Sequence, residues 1–339
     1  MREEYDKRNL YDAIALADAI IDEHSNCQSS DLARADDYFN LALIYDEMGK
    51  LEEAAGLYKE SAMCICGCEL RYVGGIPFIG LSEENWLALA LRVNNLAAVF
   101  ARMQCYEMAN YHFLLAKAIY ARFNHPNMND ILYNLGNLAA VTDNIKEAFS
   151  LHYDALELRH KDRNNYEDIM HSLHSLAFLY EKKGEYDKAI SYGKTAMEFA
   201  AGVDSISSAI YLAELYEACD EPTKALELYE QALEDMETGY RRCDFLTILS
   251  RRAKLTGKTG DHKKALKLHN EVLDVYHSLT GLDLEDLDNM FYANCLKNMA
   301  ELEISLGETA NADELILQSF AARKPADDEF ADDELADDI

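Results

Sequence analysis

One alanine recurs along this chain about every forty residues, each time in an amphipathic stretch that follows another amphipathic stretch and a turn. Ala13, Ala54, Ala109, Ala148, Ala189, Ala225, Ala265 and Ala312 are separated by 41, 55, 39, 41, 36, 40 and 47 residues. A unit of that length cannot bury its apolar face alone, so its copies must stack and share one continuous core. The clearest copy is HSLHSLAFLYEKKGEYDKAISYGKTAM, from His171 to Met197. Leu176, Ala177 and Tyr180 fall at steps of one and three on its first helix, and Ala189 and Ala196 bracket the small Gly193 on its second. Gly184 stands where the chain reverses, a position that asks for positive φ and is unstrained only without a β-carbon.

The same pattern can be followed through seven helix pairs. Leu41, Ala42 and Tyr45 open the first, with Gly49 at its turn; Leu96, Ala97 and Phe100 open the second; Leu135 and Gly136 open the third. Pro222 starts the second helix of the fifth pair, where its missing N–H is harmless. The sixth pair keeps Ala253, Gly260 and Ala265 but carries Arg252 and Thr256 in place of leucine and tyrosine, and the seventh keeps Met299, Ala300, Gly307 and Ala312. The 55-residue gap reflects an insertion at about 66–85, rich in glycine and holding Pro77, after which Ser82, Glu83 and Glu84 form a partial helix-start signal. Residues 1–30 are expected to form an N-terminal capping helix, 31–323 the stacked repeats, and 324–339 an acidic tail. Its segment 326–339 carries eight acids in fourteen residues and is expected to be disordered.

These motifs resemble the tetratricopeptide repeat, and their length resembles the kinesin light chain type of that repeat. The likeness is closest over residues 125–160, HPNMNDILYNLGNLAAVTDNIKEAFSLHYDALELRH. The resemblance implies an all-α, right-handed superhelical solenoid whose first helices (helix A of each pair) line the concave face. It also implies a non-catalytic scaffold that binds a peptide or protein segment in that groove. Co-chaperones with such repeats clamp a terminal carboxylate with a set of Lys, Asn and Arg residues, and no three consecutive repeats here reproduce that set.

Register then selects the groove residues. The position before the signature leucine is Asn40, Asn95, Asn134, Ser175, Tyr211, Arg251 and Asn298 in successive repeats. A ladder of amides, each with donors and an acceptor, can pair with an extended backbone, as resemblance to kinesin light chains and bacterial peptide-pheromone receptors implies. The competing reading is that these amides bridge neighbouring helices. Asn94, Asn137, His171, His174 and Lys254 join the candidate set by the same register. The alternative function is a peptide receptor whose superhelix changes pitch on binding to control a separate effector. The thirty residues before the first full repeat are short for such an effector domain, which favours the scaffold.

A net charge of -30 disfavours nucleic acid and anionic membranes as partners. Against that background residues 241–267 carry nine basic side chains and two acids, so the acidic tail 326–339 is a candidate intramolecular occupant of that segment. The first residues lack a secretory h-region, and the eight cysteines lack the density of a disulfide scaffold, so a cytoplasmic protein with reduced, mostly core-filling thiols is expected. Cys64, Cys66 and Cys68 lie too close together and lack a fourth ligand, and Asp168, His171 and His174 match no metalloprotease spacing, so no metal or cofactor is expected. Nor is there a phosphate loop, nucleophile elbow or recognisable carboxylate pair, and an enzyme is not expected.

Overall fold

In a computed structural model of the chain, the structure describes residues 31–67, 81–161, 166–200, 203–236, 242–278 and 289–322. The expected capping helix at 1–30, most of the insertion and the acidic tail lie outside the described residues. Among those described there are fourteen helices and no strand. The chain divides after Glu185, inside the fourth helix pair, into two compact units.

The first unit contains α1 (Asp31–Glu47), α2 (Leu51–Cys66), α3 (Glu83–Arg102), α4 (Tyr106–Phe123), α5 (Met128–Val141), α6 (Ile145–Lys161) and α7 (Tyr166–Lys182). The second contains α8 (Tyr186–Phe199), α9 (Val203–Ala218), α10 (Pro222–Asp235), α11 (Arg242–Lys258), α12 (His262–His277), α13 (Asn289–Leu306) and α14 (Thr309–Ala322). Helix A is followed by its helix B in pairs α1/α2, α3/α4, α5/α6, α9/α10, α11/α12 and α13/α14. Within the units helix B also packs on the next helix A, as α2 does on α3 and α12 on α13.

The repeat alanines form the seam of this packing. Ala54, Ala109, Ala148, Ala189, Ala225, Ala265 and Ala312 are at most 1% exposed. On helix A, Leu41, Leu96, Leu135, Leu176, Leu212 and Met299 are at most 5% exposed. Large side chains fill the gaps that the small ones leave, and the close approach of two helix axes depends on the latter. In the degenerate sixth pair Arg252 is half-buried, while Thr256 stays buried by donating its hydroxyl to the Arg252 carbonyl at 2.8 Å.

All seven A-to-B turns share one device. The residue five before the seam alanine has positive φ: Gly49, Gln104, Asp143, Gly184, Asp220, Gly260 and Gly307. In six of these turns the next N–H reaches back to a helix-A carbonyl, as Cys105 does to Phe100 at 2.8 Å and Glu185 to Tyr180 at 2.9 Å, closing a Schellman-type end. Helix starts are equally local: Ser82 Oγ accepts from the Asn85 N–H at 3.2 Å, Asp261 accepts from Lys264 N–H at 3.1 Å, and Pro222 is the first residue of α10. Gly67, with φ of 65°, ends α2 at the edge of the insertion. Trp86, just beyond it, is buried in the core of the first unit with the Arg122 guanidinium over its ring.

Candidate functional site

In every repeat the residue before the signature position, which is buried in all but the sixth, remains accessible. Asn40 and Arg251 are exposed, and Asn95, Asn134, Ser175, Tyr211 and Asn298 are half-buried. None is sealed, because a residue one step before a fully buried one on a helix is rotated by 100° towards the open side. Asn94, Asn137, His171 and His174 are half-buried and Lys254 is exposed.

The amides of the first unit are brought together across successive A helices. Asn134 on α5 donates to Asn94 Oδ1 on α3 at 3.0 Å, and Asn94 donates to Asn95 Oδ1 at 3.3 Å. The Asn95 amide lies beside the Tyr58 hydroxyl, which burial and Asp46 push up to about 12 while Asn95 acts in the opposite direction. The amides therefore bridge helices, as one of the two sequence readings holds, yet they stay open to solvent, as the other requires. Asn137, one turn beyond Asn134, shares with it the wall of a cavity of about 410 Å³ between α3, α4 and α5. Phe113 and Leu138 line its apolar part, and Arg102, ion-paired to Asp46 on α1, stands at its rim.

The other candidates are placed differently. His171 Nε2 lies 3.8 Å from Glu167 one turn earlier on α7. Arg251 is engaged by α9, with one guanidinium nitrogen 2.9 Å from Glu214 and another 3.8 Å from Glu217. Tyr229 donates to the same Glu217 at 2.6 Å. Lys254 and Lys258 are exposed on α11 and make no ion pair among the described residues.

Two arginines that sequence reasoning passed over hold the first unit together. Arg92 on α3 is 4% exposed; it donates to Ser61 Oγ at 2.8 Å and to the Ala88 carbonyl at 3.1 Å, pairs with Asp36, and lies 4.7 Å over the Phe39 ring. Arg159 on α6 is 2% exposed and donates to the Asp168 carbonyl at 2.8 Å, to Ser172 Oγ at 2.7 Å and to Asp130 at 3.3 Å. Burial raises the Asp130 carboxyl above its ordinary range, with Arg159 opposing. The available signal was a charged residue in an otherwise apolar register, Arg92 between Leu89 and Val93.

Among the described residues Cys295 and His269 form a pairing with a catalytic look, Sγ to Nδ1 3.3 Å, but the two are 1% and 0% exposed. Burial pushes the thiol up to about 12 and the imidazole down to about 4, the reverse of an activated nucleophile and base. Among the described residues no three His, Cys, Asp or Glu side chains are grouped to hold a metal ion; Cys68 lies outside them. Cys64, Cys66, Cys105, Cys219 and Cys295 are free thiols; Cys295 is buried, Cys64 and Cys66 pack half-buried against the core of the first unit, and Cys105 is exposed. No described helix is long and apolar enough to cross a membrane.

Stacked helix pairs with a small-residue seam and an accessible helix-A register define a helix-repeat scaffold for contact with other proteins. Tetratricopeptide-repeat family models match residues 38–65, 127–201 and 211–241, and the chain carries tetratricopeptide repeats. Its fold is similar to that of an ATPase of the STAND class with a tetratricopeptide repeat sensor from Pyrococcus horikoshii, at 20% identity and a TM-score of 0.67. That match covers 85% of this chain but 42% of the larger protein. BtubC of P. vanneervenii matches at 18% identity and TM-score 0.53, covering 72% of this chain and 92% of that one. Nearly identical kinesin light chain TPR-like repeats of Podosopora anserina match at 18% and 0.50, covering 58% and 96%. At such identities the likeness is one of fold. No curated protein matches the chain.

Proposed function

We propose that this protein is a non-catalytic cytoplasmic scaffold whose first unit holds an extended peptide against the A helices α1, α3, α5 and α7. The observation that carries this reading is the junction of Asn94, Asn95, Asn134 and Asn137 with the adjoining apolar cavity. Amides that are already oriented by one another lose little freedom on binding and retain capacity for a peptide backbone. The cavity offers an apolar side chain of that peptide a place beside them.

The test is selection from a random twelve-residue peptide library, followed by titration of the enriched peptides against wild type, Asn95→Ala and Asn137→Ala. Each substitution should weaken binding by about 1 kcal/mol, close to fivefold. Enriched peptides that bind both variants as tightly as wild type would remove the groove from the reading.

The acidic tail as an occupant of segment 241–267 forms a subsidiary part of the proposal. With Arg251 already paired to Glu214 and Glu217, Lys254 and Lys258 are left to receive it. Truncation at residue 325 should then raise affinity for an acidic peptide, and equal affinity with and without the tail would refute the contact.

A further inference from the structure

The first helix pair shows what a hairpin of this chain does when another helix lies on it. Ser61 on α2 donates its hydroxyl to the Ala35 carbonyl on α1, and the oxygen of that hydroxyl accepts from Arg92, which α3 brings in together with its apolar neighbours Leu89 and Val93. The seventh pair repeats the serine-to-carbonyl contact of this arrangement, with Asn294 and Lys297 at the places of Asp36 and Phe39. Ser319 stands seven residues after its seam alanine, as Ser61 does, and donates to the Ala293 carbonyl at 2.8 Å across the same 26-residue separation. Among the described residues no helix follows α14 to supply a counterpart of Arg92.

The consequences are visible in exposure. The residue four beyond the seam alanine is buried in the pairs that have a following helix A in their unit, as Tyr58, Phe113, His152, Tyr229 and His269 are, whereas Ile316 is only half-buried. Beside it Ile304 and Phe320 are 53% and 63% exposed. Ile304, Ile316, Ser319 and Phe320 line a cavity of about 400 Å³ between α13 and α14.

Charge states what kind of helix fits. Glu301, Glu303, Glu308, Asp313 and Glu314 stand on the hairpin against Lys297, which lies 3.7 Å from Glu301. A second copy of this chain, at net charge -30, and the chain's own tail of eight acids would both meet repulsion there.

We infer that the α13/α14 hairpin is a docking surface for a basic amphipathic helix of a partner protein, seated as the next helix A would be. Its apolar face covers Ile304, Ile316 and Phe320, an arginine or lysine reaches the Ser319 hydroxyl as Arg92 reaches Ser61, and its flanking basic residues answer the excess of acids on the hairpin. This surface is separate from the peptide groove of the first unit and does not depend on it.

The test uses the full chain and three fluorescein-labelled eighteen-residue probes read by anisotropy: an amphipathic Leu/Arg/Lys helix, a scrambled peptide of the same composition, and the same helix with Glu for every basic residue. The amphipathic basic helix should bind at least tenfold more tightly than the other two, and salt should weaken it. Ile304→Asp with Phe320→Asp, both at exposed positions that line the cavity, should abolish that preference. Leu114→Asp, also exposed and on α4, should leave it intact, as should Asn95→Ala. Equal binding of the scrambled probe, or unchanged binding by the double variant, overturns the proposal. It is likewise overturned if truncation at residue 325 strengthens binding, since the tail is then the occupant, or if wild type dimerises through Phe320, since a second copy is.

Discussion

His152 illustrates how narrowly single positions are set. Its ring occupies the space that a β-carbon on Gly136 would take, with Nε2 2.8 Å from that point. The glycine stands in the small-residue place of α5, and here the small residue admits an imidazole as well as a helix. Gly136→Ala should therefore cost about 1–3 kcal/mol, the range for overpacking a filled core, although alanine is the better helix former. Urea unfolding measures it, and a variant as stable as wild type would mean the ring can move aside. Alanine in the sequence pattern at Ala42, Ala97 and Ala177 gives no hint of this difference, since the reason lies in the partner residue on α6.

Among elements, the A-to-B turns follow one backbone rule that the sequence displays only in part. Glycine marks four of the seven left-handed positions, and Gln104, Asp143 and Asp220 occupy the others. Aspartate tolerates that region better than glutamine, because its short side chain can hydrogen-bond locally. Gln104→Gly should then stabilise the protein by about 1 kcal/mol, read as a rise in melting temperature, and no rise would show that the exposed turn relaxes around glutamine at no cost. Between elements, the buried arginines act as staples. Arg159→Ala removes the partner of Asp130 and Ser172 and should destabilise by about 3 kcal/mol in chemical denaturation. Arg159→Met, which keeps an apolar stem in the buried site but gives up the guanidinium over the Tyr133 ring, should lose less if packing dominates over the charged contacts.

Over the whole molecule, acid should act on both units. His112, His152 and His269 are held neutral by burial, each with its pKa pushed down to about 4 from an ordinary 6.5, and Arg159 adds to the effect at His152. Because the folded-state value is the lower one, their contribution is complete above pH 6.5 and is lost as the pH falls towards 4. The loss approaches about 3 kcal/mol for each histidine. Asp130, raised by burial, works in the opposite direction as it protonates. The urea midpoint should therefore fall steadily between pH 6.5 and 4, and less steeply in His112→Phe, whose ring can keep the stack on Phe100. A midpoint flat across that interval would show that the histidines become solvated before they charge.

The helix pairs, the seam alanines, Gly184 and Pro222 were legible in the sequence because periodicity and turn chemistry are local, and because each repeat imposes the same packing demand on the same register. The accessibility of the asparagine positions followed from that register too. What tertiary structure alone decided is everything that joins residues forty apart: the bridge from Asn134 to Asn94, the staples of Arg92 and Arg159, the claim of Glu214 and Glu217 on Arg251, and the open face of α13 and α14. Those contacts depend on which side chains meet when one helix pair is laid on the next, and a repeat pattern specifies the stacking while leaving the meeting partners to three dimensions.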